Sequence, residues 1–99
     1  MPNHIELSRR AERDLRGVTG DDRRRIIRAL REDLTAEPPA ENLDIVPLRG
    51  REPWLRMRVG DWRILFRPLT PAEFAQLGDV ADDAERGYLV ARIVNRRDL

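Results

Sequence analysis

A chain of 99 residues fits one domain, and such a chain can bury roughly two thirds of its unfolded surface, enough for one modest core. It holds no cysteine, which excludes disulfides and thiolate metal sites. No run approaches the roughly 20 apolar residues of a membrane span, and no apolar signal segment opens the sequence, so a cytoplasmic location is expected. The net charge of +1 hides strong segregation, because all 19 basic residues are Arg. Segment 45–68 carries six Arg against Glu52 and Asp61, whereas 70–85 carries five acids and no base. Basic patches of this kind suit a polyanion such as nucleic acid; a codon bias toward Arg accounts equally well for the missing Lys.

In chain order, residues 4–7 alternate, with Ile5 and Leu7 on one side, and predict a first strand. Ser8 has the chemistry of an N-cap. A helix over 9–17 puts Ala11, Leu15 and Val18 on one stripe. Thr19 or Asp21 can cap a second helix over 21–35, with Ile26, Ile27, Leu30 and Leu34 at helical spacing. Its run Arg23-Arg24-Arg25 reads as a solvated face offset by Asp21, Asp22, Glu32 and Asp33, or as a contact for phosphates or an acidic partner. Pro38-Pro39 must end this helix. Residues 42–50 read as a loosely extended connector, where Pro47 argues against a central strand.

The stretch 54–68 organises the rest. Alternation on both sides of Gly60-Asp61 marks a hairpin with a type II′ turn. Folding there sets Val59 opposite Trp62, Met57 opposite Ile64 and Leu55 opposite Phe66, an apolar face that takes Trp62 into the core. The other face pairs Arg58 with Arg63, Arg56 with Leu65 and Trp54 with Arg67. Like charges directly across a strand pair are unfavourable, so this cationic face is the best functional clue. After it, Thr70-Pro71-Ala72-Glu73 has the form of a capping box and predicts a short helix through Leu77, stopped by Gly78. Residues 79–86 read as an acidic loop, either a tolerated insertion or a shield for the arginines. Residues 87–94 make a last strand. Parity puts Leu89, Ala91 and Ile93 toward the helices and Tyr88, Val90 and Arg92 on the arginine face, with Arg96 there too if the chain stays extended, and no further helix after it.

The expected fold is α+β: an N-terminal strand, a two-helix hairpin, then a three-stranded antiparallel meander. Helices cover one sheet face and the arginine-rich face stays open. No glycine-rich phosphate loop occurs, a metal site built on histidines needs more than His4, a Ser-His-acid triad would have to use His4, and no cofactor is implied. What remains is an array of guanidinium groups, which fork onto phosphate and stabilise charge developing on it. Arg is a poor general base, with a pKa above about 12. Tyr88, Glu52, Asp61, Asp98 and His4 are the proton carriers nearest the basic elements.

The chain resembles the RelE/ParE superfamily of type II toxin–antitoxin toxins. The matching residues are 11–15 and 25–30 in the helices, Pro47-Leu48-Arg49-Gly50, the hairpin 55–66 and the terminal Ala91-Arg92-Ile93-Val94-Asn95-Arg96-Arg97-Asp98. The resemblance covers nearly all of the chain except 69–86. It implies a toxin that cuts messenger RNA on the ribosome, inhibits translation and is neutralised by a cognate antitoxin in a hetero-oligomer. It implies that Arg63 stabilises the phosphate, that Arg56 and Arg58 support it from the preceding strand, and that Arg96 assists the leaving group. Arg49, Arg51, Arg67, Arg92 and Arg97 would then steer the RNA, and Trp54 either stacks on a base or packs at a strand end. The sequence departs from the family at Asn95, where His is common, and has neither the family's terminal Tyr nor its strand lysines. A ParE-like gyrase inhibitor, or a degenerate toxin that only binds its antitoxin, are the alternatives.

Overall fold

The computed structural model describes residues 3–36, 43–77 and 86–99. Strand β1, His4–Leu7, leads into Ser8, whose Oγ accepts from the Ala11 N–H at 3.0 Å and so caps helix α1, Arg9–Arg16. Helix α2, Gly20–Arg28, starts after Thr19, whose hydroxyl makes no capping bond; Asp21 and Asp22 supply negative charge to its first turn instead. From Ala29 to Leu34 the helix widens into a π turn. Ile26, Leu30 and Leu34 repeat every four residues along one side of this segment. All three are buried. Pro38-Pro39, Gly78 and 79–85 lie outside the described residues.

Strands β3, Leu55–Val59, and β4, Trp62–Pro68, form the expected hairpin, with Val59↔Trp62, Met57↔Ile64 and Leu55↔Phe66 in register. Gly60 has φ 58° and Asp61 stays out of the left-handed region, as a type II′ turn requires. The connector is more regular than expected: Asp44–Pro47 forms an edge strand, β2, antiparallel to β3. Pro47 closes it at the edge, a position that sheets allow to proline. The antiparallel run therefore has four strands rather than three.

Helix α3, Pro71–Ala75, follows β4 with both arms of its capping box made, Thr70 Oγ1 to the Glu73 N–H and Glu73 Oε1 to the Thr70 N–H. Strand β5, Gly87–Asn95, returns between β4 and β1, antiparallel to the first and parallel to the second, giving the order β1-β5-β4-β3-β2. A bulge breaks its register with β4: Arg92 faces Leu65 but Val90 faces Phe66, so Ala91 is the extra residue. The expected parity therefore holds only after the bulge. Before it, Val90 is fully buried, and Tyr88 packs edge-on to Phe66, ring centroids 5.8 Å apart. Both belong to the core side and not to the arginine face. A short 3₁₀ turn, Arg96–Asp98, ends the chain where an extended end was expected, because the Asn95 side chain accepts from the Arg97 N–H at 3.2 Å.

Met57, Ile64, Phe66, Val90 and Ile93 from the sheet and Ala11, Val18, Ile26, Ala29, Leu30 and Leu34 from the helical layer make one core, with Trp62 packed against it. Among the described residues no helix is long and apolar enough to cross a membrane.

Candidate nucleic-acid interface

Alternation along β3 and β4 sends Arg56, Arg58, Arg63, Leu65 and Arg67 to the face opposite this core. Arg58 and Arg63 are a directly opposed pair, as expected. The next strand relieves the repulsion. Asp44 on β2 stands across from Arg58, with Oδ2 2.8 Å from Nε. Arg63 turns back to the hairpin end, its Nη1 donating to the Gly60 and Trp62 carbonyls at 3.0 and 3.1 Å. Arg56, Arg58 and Arg63 surround a recess of about 260 Å³, completed by Asp44 and Val46. Three of the four arginines read as catalytic thus meet in one hollow. The fourth, Arg96, meets the hairpin end: its backbone N–H donates to the Asp61 carbonyl at 2.8 Å and its Nε lies 3.6 Å from Asp61 Oδ1.

The other arginines are more dispersed. Arg67 forks onto Glu73 at 2.7 and 2.8 Å and lies 5.5 Å from the Trp54 ring centroid. That hydrogen bond, with the Thr70 N–H, lowers the Glu73 carboxyl to about 2; the same bond raises Arg67. Trp54 therefore stacks on an arginine of its own chain. Arg92 is turned to the sheet edge, where its Nε meets Asp14 Oδ2 of α1 at 2.8 Å. The same oxygen accepts from the Ile93 N–H at 2.9 Å, and Ser8 Oγ donates to the Ala91 carbonyl at 2.8 Å. Together Ser8 and Asp14 occupy backbone groups of β5 beyond the reach of β1. Burial alone would raise Asp14; the bonds from Arg92 and Ile93 outweigh it and hold the carboxyl below its ordinary value, while Arg92 is raised. Arg49 and Arg51 are exposed in the turn before β3, and Arg97 is exposed in the terminal turn.

Two of the proton carriers singled out in the sequence stand away from the recess. Tyr88 is half-buried and packs against the core, and the His4 ring pairs with Glu6 on β1 at 2.8 Å. Asp61 is the acid beside Arg96. Sequence reasoning missed Asp44, Asp14 and Glu73 as partners of the arginines. Only Glu73 had a local signal, its place in the capping box.

No family model matches the chain, and no curated protein matches it by sequence. Solved structures do match in shape. A chain of the RelB-RelE antitoxin-toxin complex from Methanococcus jannaschii superposes with a TM-score of 0.66 at 22% identity, covering 94% of this chain and 92% of that one. The toxin-antitoxin complex RelBE2 from Mycobacterium tuberculosis gives 0.65 at 21%, over 97% and 100% of the two chains. The archaeal RelE-RelB complex from Pyrococcus horikoshii OT3 gives 0.67 at 19%, over 97% of each. The strand order, the helical layer on one sheet face and these superpositions together give the chain a RelE-like fold.

Proposed function

We propose that this chain, as one toxin domain with 69–86 inserted before its last strand, is the toxin of a type II toxin–antitoxin pair. Its reaction is ribosome-dependent cleavage of messenger RNA. The observation that carries the reading is the recess bounded by Arg56, Arg58 and Arg63 on the sheet face opposite the core. Permanently charged, forked donors aimed into one hollow suit the phosphate of an RNA strand, and they stabilise the extra negative charge that attack by a 2′-hydroxyl places on it. The RNA supplies the nucleophile; the protein aligns it. Arg96 beside the hairpin turn stands ready for the leaving oxygen. The structural neighbours are antitoxin–toxin complexes, which supports an antitoxin as the neutralising partner.

Tyr88, half-buried on the core side and away from the arginines, favours a second reading, binding without cleavage, in which the same face inhibits gyrase or another protein. Induced expression without the antitoxin, followed by mapping of transcript ends, separates the two. Cut transcripts with translation arrest support the nuclease; intact transcripts with a DNA-damage response support the inhibitor. Arg63→Ala, stably folded, should abolish growth inhibition. Undiminished toxicity of that variant would defeat the phosphate-site reading.

A further inference from the structure

A second cationic recess lies around the corner from the first. It measures about 390 Å³ and is lined by Arg25, Arg28 and Asp33 from the second helical segment, by Leu43, and by Arg58, Val59 and Gly60 at the hairpin end. Arg58 lines both recesses, so the two adjoin at that side chain. Three guanidinium groups from two separate elements converge here. Arg28 is partly offset by Glu32 at 3.4 Å and Arg58 by Asp44, whereas Arg25 has no acid within ion-pair reach among the described residues. The turn makes room for it: a Cβ on Gly60 would stand 3.3 Å from Arg25 Nη1. The guanidinium therefore rests against bare backbone at the tip of the hairpin.

We propose that this recess is a second phosphate subsite, where Arg25 and Arg28 hold the backbone of the RNA strand after it leaves the sheet face past Arg58. This rests on the RNA reading given above and extends it. The shared Arg58 favours one strand occupying both recesses over two unrelated ligands. The forked geometry of the donors favours phosphate over a simple counterion. The subsite reads no base, so it adds affinity and direction to the strand rather than sequence preference.

The test is equilibrium binding of a single-stranded RNA of about 12 nucleotides over a range of salt. Wild type is compared with Arg25→Ala/Arg28→Ala and with Arg9→Ala/Arg16→Ala, which removes the same charge from exposed positions on α1. The subsite variant should lose about 1.4 from the slope of log affinity against log salt, as two lost phosphate contacts require. It should bind a trinucleotide as wild type does, and Arg25→Lys/Arg28→Lys should restore most of the slope. Matching slopes for the subsite and control variants would overturn the subsite while leaving the sheet-face reading intact. Failure of wild type to bind RNA at all would also overturn the subsite, whereas the cleavage reading stands or falls on the mapped transcript ends. A variant that keeps its RNA slope but loses affinity for the antitoxin would make the recess a protein-docking site and overturn the proposal.

Discussion

Asp44 and Arg58 face each other across β2 and β3, and their Oδ2–Nε contact is 2.8 Å. The carboxylate stands beside the recess and cancels part of its charge. Both side chains are about half exposed, at 48% and 61%, so the pair adds only about 0.2–1 kcal/mol to stability. Its larger effect is on binding. Asp44→Asn should leave the melting temperature nearly unchanged and tighten RNA binding at low salt. A titration against RNA in low and high salt checks this; equal affinities for the two proteins at low salt would remove Asp44 from the site.

Asp14 ties α1 to β5 through Arg92 and the Ile93 N–H. Its carboxyl is about one-sixth exposed, so Asp14→Ala leaves a buried N–H and a guanidinium without their acceptor and should cost about 2–3 kcal/mol. Asp14→Asn can keep the Ile93 bond and should cost less. The folded carboxyl titrates below its ordinary value, so its contribution is present above that value and is lost as pH falls through the lowered one. Chemical denaturation across the acid range should show wild type converging on Asp14→Asn as pH falls. Parallel curves would mean that the charge contributes nothing.

Glu73 gives a cleaner titration. With its folded carboxyl at about 2 against 4.5 ordinarily, it should remain ionised well below the ordinary range of a glutamate. Its share of stability is then fully present above about 4.5 and disappears only toward pH 2. Carboxyl carbon shifts followed by NMR test this directly. Arg67→Ala should return Glu73 toward ordinary values without restoring them fully, because the Thr70 N–H still donates to it.

Gly60 carries both a positive φ of 58° and the close approach of Arg25. Gly60→Ala places a side chain in the left-handed region and must also displace the guanidinium. The expected cost is about 1–2 kcal/mol, read from the urea midpoint. Gly60→Ala in an Arg25→Ala background should recover the steric part and retain the backbone part.

The bulge at Ala91 makes a claim about neighbours. Val90 is fully buried and Leu89, opposite Arg67, is only half-buried. Val90→Ala should cost about 2 kcal/mol and Leu89→Ala under about 1 kcal/mol. A larger cost at Leu89 than at Val90 would restore the simple alternation.

The sequence was most legible where interactions are local. The hairpin register, the Ser8 cap and the Thr70–Glu73 capping box all follow from residues within a few positions of one another. β2 was not legible as a strand, because four residues ending in Pro47 offer little alternation to read. Missing β2 hid Asp44, since its place beside Arg58 exists only once the two strands pair. The bulge was invisible for a related reason: parity counting assumes an unbroken pleat, and only the β4–β5 register shows where it breaks. Arg92 met the same fate, read as a free arginine when its partner lay on α1, 78 residues away.

β5 is the last strand in the chain yet sits inside the sheet, with β1 on one flank and β4 on the other. Residues 4–7 must therefore wait until residues 87–90 have been made before their pairing can form. Helices and the β3–β4 hairpin close locally and early; the parallel ladder closes a loop of nearly the whole chain and comes late. A nascent chain thus carries a half-built sheet until residues 87–95 emerge. The Ser8 and Asp14 contacts, both made to β5, are added only when its last residues arrive.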